Sequence, residues 1–235
     1  MLMRLDKLLS ETTELTRSLA KKALHREEVT VDGEIVKNPA TQVDATNDVR
    51  WLGERLELVG FRYLMMNKPL GVECTTRPGI YPTVLELIDV PKVERLHPVG
   101  RLDVDTTGLV LLTDDGKWSH RVTSPRAKCD KVYLARLAEP LQGEAAERAV
   151  TAFAEGILLD GEDKPTQPAV LNILGPYEVR VSITEGKYHQ VRRMFAAIGN
   201  RVETLNRESI GPLALDPDLE PGECRMLRQE EIDAF

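Results

Sequence analysis

The sequence predicts an α+β chain in two parts, a small unit over residues 1–60 and a larger one over residues 61–235. Three patterns predict it. Near the start, two stretches of helical period run into Val29-Thr30-Val31-Asp32-Gly33-Glu34-Ile35-Val36, where Asp-Gly between β-rich runs signals a hairpin. In the middle, Leu109-Val110-Leu111-Leu112 is an apolar run of strand length that belongs in a core. Further on, Val191, Met194, Phe195 and Ile198 recur at i, i+3, i+4 and i+7, the spacing of a helix with one buried face.

Taken in order, Leu5, Leu8 and Leu9 mark a first helix. Thr16 can cap a second, with Leu19, Ala20, Ala23 and Leu24 on its buried side. Arg17, Lys21, Lys22, His25 and Arg26 crowd the opposite side, which taken alone reads as an ordinary solvated face. Asn38-Pro39 turns the chain, Val49 to Trp51 gives another strand, and Leu58 to Phe61 is the expected linker. Tyr63 to Met66 reads as a strand ended by Asn67-Lys68-Pro69-Leu70-Gly71, and Pro82 to Ile88 as a short helix. Asp114-Asp115-Gly116 should turn the chain after the apolar run. Lys117, His120, Arg121, Arg126, Lys128 and Lys131 then face only Asp130, a candidate phosphate track leading into strand-like Val132-Tyr133-Leu134. Glu144 to Phe153 is an amphipathic helix, and Ala169–Leu174 and Val179–Ile183 are strands. Gly199-Asn200 ends the last helix, and the acidic tail from Gly211 is expected to be solvated and without chemistry.

Composition removes several classes of function. The three cysteines (Cys74, Cys129, Cys224) form no Cys-x-x-Cys pair, which argues against a disulfide framework or a structural zinc and fits a reducing compartment. No run approaches membrane-spanning length, and Met-Leu-Met-Arg-Leu-Asp-Lys is charged too early for a signal peptide, so a cytoplasmic location is expected. The net charge of −7 opposes nucleic-acid binding when read globally. Phosphate contacts are short-ranged in salt, however, so local patches matter more than the sum.

The stretch from His97 to Leu112 is the candidate site. It sets Arg101, Asp103 and Asp105 in a loop bounded by Gly100 and Gly108, at the mouth of the buried run. A carboxylate so supported can serve as nucleophile or base, although an Asp in such a loop can equally be a turn or cap residue. The string Gly100-Arg101-Leu102-Asp103, then Thr106, then Gly108-Leu109, resembles the signature of the pseudouridine synthases. Lys131-Val132-Tyr133 and Gly186-Lys187-Tyr188-His189-Gln190-Val191-Arg192 resemble two further motifs of that family, and Asn67-Lys68-Pro69-Leu70-Gly71 the turn that opens its catalytic domain. The helix, basic helix and hairpin of residues 1–60 resemble an S4-type RNA-binding domain, with Glu27-Glu28 where a Gly and a basic residue are common.

The resemblance implies a mixed, mainly antiparallel sheet with flanking helices behind an S4-like unit. It implies that Asp103 is catalytic, that Tyr133 stacks on an extruded base, and that Arg192, rather than Arg193, pairs with Asp103 and keeps it ionised. Arg101 would help displace the base or hold the vacated stack, and Lys131, Lys187, His189, Gln190 and Val191 would contact substrate, with a structural part equally open to His189. Arg17, Lys21, Lys22 and Arg26 would grip folded RNA. Isomerising uridine to pseudouridine breaks N1–C1′ and rejoins the base through C5, so no metal or organic cofactor is called for. Asp103 would be either the covalent nucleophile or the group that starts glycal formation. Within the family, the run from Leu96 to Leu137, with Trp118-Ser119-His120-Arg121 and Thr123-Ser124-Pro125-Arg126, is similar to bacterial enzymes of small-subunit (16S) ribosomal RNA. The expected partner is therefore 16S RNA, in an assembling small subunit, with no membrane and a monomeric enzyme. A large-subunit (23S) enzyme and a non-catalytic assembly factor are the alternatives. The absence of a basic extension after the last motif speaks against the former.

Overall fold

The structure, a computed structural model, describes residues 2–56, 60–124 and 129–235. The chain divides into two compact units, Met1–Gly60 and Phe61–Phe235.

The first unit runs β1 (Met3–Arg4), α1 (Leu5–Thr12), α2 (Arg17–His25), β2 (Val29–Val31), β3 (Glu34–Ile35), β4 (Gln42–Val43), β5 (Val49–Trp51) and β6 (Glu54–Arg55). Thr16 caps α2, its side chain accepting from the amide of Leu19. Asp32 (φ 53°) and Gly33 (φ 88°) both adopt the left-handed conformation that a two-residue hairpin turn requires. The Asp32 carboxylate also accepts from the Asp48 amide and from Asn47 Nδ2, both at 2.7 Å, which pins the turn and holds its carboxyl below the usual range. Leu5, Leu8, Leu9, Ala20, Ala23, Leu24, Val29, Val43 and Val49 form the core. Leu19, expected inside, is 44 % exposed. Ala20, Ala23 and Leu24 set the buried stripe, and Leu19 sits about 100° of helix rotation to one side of it.

The second unit runs β7 (Tyr63–Lys68), two 3₁₀ turns (Val84–Leu87 and Val93–Arg95), β8 (His97–Val99), β9 (Thr107–Thr113), α3 (Gly116–Thr123), β10 (Lys131–Leu137), α4 (Gly143–Glu155), β11 (Val170–Gly175), β12 (Glu178–Ile183), α5 (Gln190–Ala197), β13 (Val202–Ile210), β14 (Leu213–Ala214), β15 (Cys224–Met226) and α6 (Gln229–Asp233). Its sheet has the order β11-β12-β10-β13-β9-β7-β15, with β14 added to β13 and β8 to β9. The β13–β9 pair is parallel and the other pairs are antiparallel. This is the mixed, mainly antiparallel sheet that the resemblance implies.

Both faces of the central strands are covered. Leu64, Met66, Val110 and Leu112 pack in one cluster with Phe153 of α4 and Met194 and Phe195 of α5. Met65, Leu109 and Leu111 pack in the other with Trp118 and Val122 of α3. A strand clothed on both sides reads as an unbroken apolar run instead of an alternation, and Leu109 to Leu112 are all 0 % exposed.

Several expectations are corrected. Residues 82–88 hold only a 3₁₀ turn, Val84–Leu87, with Thr83 and Glu86 forming a capping box. The expected turn at Asp114-Asp115-Gly116 leads directly into helix α3, which Asp115 caps by accepting from the amides of Lys117 (2.9 Å) and Trp118 (3.2 Å) while also accepting from Tyr63 Oη (2.9 Å). The tail past Gly211 is built into the fold. It supplies β14, β15 and α6, Trp118 Nε1 donates to Ile232 O at 3.0 Å, and the Phe235 ring meets Trp118 edge-on. Its acidic residues are partly neutralised from within, since Arg225 pairs with Asp216 (2.6 Å) and Glu231 (2.8 Å). Of the basic run 117–131, Arg126 and Lys128 lie outside the described residues, as do Leu58 and Val59 of the expected linker.

Candidate active site

The loop from Arg101 to Thr106 joins β8 to β9 and presents Asp103. Its shape is fixed from three sides. The Thr106 amide donates to Asp103 O at 3.0 Å, and the Gly71 amide donates to Val104 O at 2.9 Å. Lys68, wholly buried at the end of β7, donates from Nζ to Thr106 O and Pro69 O, each at 2.8 Å. Burial pushes the Lys68 ammonium below its ordinary pKa, while Cys74, Asp105 and Asp103 pull the other way. Below the loop, Gly108 (φ 101°) lies so close to Arg207 that any Cβ would strike the Arg207 backbone. The loop is therefore held rigidly against two strands.

The second contributor is the start of α5. His189, its N-cap, adopts the left-handed conformation (φ 47°, ψ 35°) that is costly for a residue with a Cβ. Its Nε2 lies 3.4 Å from Asp103 Oδ1, and both side chains remain partly exposed. Arg192, three residues on, reaches the same loop but not the expected carboxylate. Its Nη2 donates to Asp105 O at 3.0 Å and lies 3.1 Å from Asp105 Oδ2, while Nη1 donates to Val202 O at 3.1 Å. The pairing of Arg192 with Asp103 is thus corrected to Asp105. His189 and Arg192, i and i+3 at one helix end, meet Asp103 and Asp105, i and i+2 in the loop.

Tyr133 is buried on β10. It lies opposite Arg207 of β13, which lies opposite Gly108 of β9, so one row across three strands links Tyr133 to the loop's base. The Arg207 guanidinium stands over the Tyr133 ring at 6.0 Å, and its Nε donates to Leu109 O at 2.8 Å. Thr106 Oγ1, Arg192 Nε and Arg207 Nη2 are buried with no hydrogen-bond partner among the described residues. Such atoms are uncommon, and these belong to the loop, helix and strand that build this site.

The remaining expected residues divide. Lys131 is half-buried, donates to Cys129 O at 3.1 Å, and has its pKa lowered by burial. Arg101 is exposed in the loop. Lys187 is drawn to Glu162 (2.7 Å), which also takes Arg193 (3.2 Å). Gln190 is buried, accepting from the Lys187 amide and donating to Glu185 (both 2.9 Å), so it braces the loop. Val191 is 3 % exposed in the main core. In this structure Gln190 braces the loop and Val191 fills the core. In the first unit Arg17, Lys21, Lys22 and Arg26 are all exposed, Arg26 lying 3.8 Å from Glu28. Sequence reasoning missed Lys68 and Arg207 as site residues. Lys68 stood inside a motif read only as a turn, and Arg207 lies on a strand whose polar sequence hid it.

Comparison with known proteins shows the family. A family model described as RNA pseudouridylate synthase matches residues 62–197, and the S4 domain model matches residues 3–49. The chain is 52 % identical over 231 residues to a Yersinia pestis protein named ribosomal small subunit pseudouridine synthase A, covering 98 % of this chain and 97 % of that one. It is 50 % identical to the Escherichia coli K12 protein of the same name, covering 98 % of each. A solved structure described as a pseudouridylate synthase superposes with a TM-score of 0.71 at 49 % identity, covering 99 % of both chains. With the catalytic-domain model, the S4 model and full-length relatives all in agreement, the chain belongs to the RNA pseudouridylate synthase family.

Proposed function

We propose that this protein isomerises one uridine of small-subunit (16S) ribosomal RNA to pseudouridine, with Asp103 as the acting carboxylate. The observation that carries the target is the roughly half-identity, over nearly the whole length, to relatives named for the small ribosomal subunit. In this reading the uridine leaves its stack, at a cost of about a few kcal/mol, and Tyr133 offsets roughly 1–3 kcal/mol by stacking on it. Asp103 acts at the ribose as N1–C1′ breaks. The base turns, C5–C1′ forms, C5 gives up its proton and N1 takes one. Atoms and electrons balance without any redox partner. Arg192, through Asp105, and Lys68, through Thr106, fix the shape of the loop that carries Asp103, which supports a role that depends on positioning. Arg101, free at the loop's surface, fits the space the base vacates. Exposed Arg17, Lys21, Lys22 and Arg26 fit an RNA grip by the S4 unit. We take the enzyme to work as a monomer, in the cytoplasm, on an assembling subunit.

The test is Asp103→Asn. It should still bind small-subunit RNA but release no tritium from [5-³H]uridine in it, and normal release would end the proposal. Mapping pseudouridine in a deletion strain fixes the target. Loss from the small-subunit RNA supports it, whereas loss from the large-subunit RNA, or no loss, overturns it.

A further inference from the structure

Tyr188 is 75 % exposed, yet its ring lies flat on His189, centroids 3.8 Å apart and planes 17° from parallel. His189 in turn stands 3.4 Å from Asp103. A large aromatic ring left in water beside a reactive carboxylate, with one face covered and the other open, is a stacking surface without its partner. We propose that the open face of Tyr188 receives the base of a nucleotide next to the target uridine, a proposal that rests on Asp103 being the reacting group.

Geometry assigns the flanking base instead of the target. A base on the open face of Tyr188 is separated from His189 by the whole Tyr ring. With His189 itself 3.4 Å from Asp103, such a base stands one ring further out than a group at the roughly 3–3.5 Å at which reacting atoms meet. The target base is left to Tyr133 on β10, and the neighbouring base is held at the start of α5. The two rings together keep the strand splayed while the target is out.

The platform is also braced. Arg193 Nη1 donates to Tyr188 O at 3.1 Å, and Gln190 ties the Lys187 amide to Glu185. Little order is then lost when a base docks. Lys187 and Arg193 converge on Glu162 beside the platform, two cations available to the phosphate that follows the stacked base. Any base has a face to offer, so the contact selects an unpaired neighbour and is indifferent to its identity.

The test is a cycle with full-length protein and a 16S RNA fragment carrying the mapped uridine. The fragment is made intact, abasic at the 5′ neighbour, and abasic at the 3′ neighbour. Tyr188→Ala should weaken binding of intact RNA about tenfold. Tyr188→Phe should restore it. One of the two abasic fragments should bind wild type about tenfold more weakly and bind Tyr188→Ala no worse than intact RNA does. If both abasic losses simply add to that of Tyr188→Ala, the stack is refuted. Asp103→Asn run in parallel separates the causes. Turnover by that variant sinks the site assignment, whereas additive losses with turnover still dependent on Asp103 sink the stack alone.

Discussion

Lys68 Nζ donates to the carbonyl oxygen of Thr106 at 2.8 Å, and through that bond a strand end governs the shape of the loop that carries Asp103. The ammonium is fully buried and its pKa is lowered by that burial, so it contributes position at some expense of stability. Lys68→Met should therefore separate the two properties. Tritium release should fall roughly 10- to 100-fold as the loop loosens. Stability to urea should shift by no more than about 2 kcal/mol, because the lost charge burial offsets the carbonyls left unpaired.

Arg192 spans Asp105 O, Asp105 Oδ2 and Val202 O with its two terminal nitrogens. A lysine keeps the charge but cannot hold both ends of that span. Arg192→Lys should lower kcat at least tenfold, and tritium-release kinetics at saturating RNA will read it. A kcat equal to wild type would show that charge alone suffices.

Gly108 combines φ 101° with direct backbone approach to Arg207. Gly108→Ala should cost more than about 3 kcal/mol, since it joins backbone strain to a collision that no rotamer relieves. Urea unfolding should show it, or the variant should fail to accumulate in soluble form.

Arg225 beside Glu231 holds that carboxyl down to about 2, from its usual 4.5. A depressed folded value means stability that is present above 4.5 and lost as pH falls towards about 2. Urea midpoints measured from pH 6 to 2 should decline over that window, and Glu231→Gln should flatten the decline. On the order of 1–3 kcal/mol is at stake, as the pair is largely shielded from solvent.

Lys21, Lys22 and Arg26 are exposed on or beside α2 and contribute nothing to its core. Changing all three to Ala should leave the melting temperature unaltered. If they neutralise phosphates, the slope of log affinity against log salt should flatten by up to about 3. An unchanged slope would leave α2 a merely solvated face.

Local signals in the sequence proved readable where a few adjacent residues settle the outcome. The Asp32-Gly33 turn, the Thr16 cap, the run Leu109 to Leu112 and the face of α5 each depend on neighbours within a few positions. The partner of Arg192 was not readable, because both Asp103 and Asp105 lie within reach and only the placement of α5 decides between them. Nor was β13. Its buried residues are Val202, Leu205, Arg207 and Ile210, an uneven spacing that follows from register shifts against β10 and hides the two-residue period of a strand. The tail misled for a related reason. Its acidic residues suggested solvent, but Arg225 answers two of them and Leu213 and Leu227 are buried.

Strand β13 has an outcome for how the enzyme comes into being. Asp103 leads into β9 and Tyr133 sits on β10, close together along the polypeptide, yet β13, which begins at Val202 after both have been made, wedges between them, Thr107 reaching Leu205 across a separation of 98. A ribosome that has delivered both groups has not yet delivered the piece that aligns them. Half-made chains should consequently be inert, with modification of RNA waiting until β13 has slotted into place.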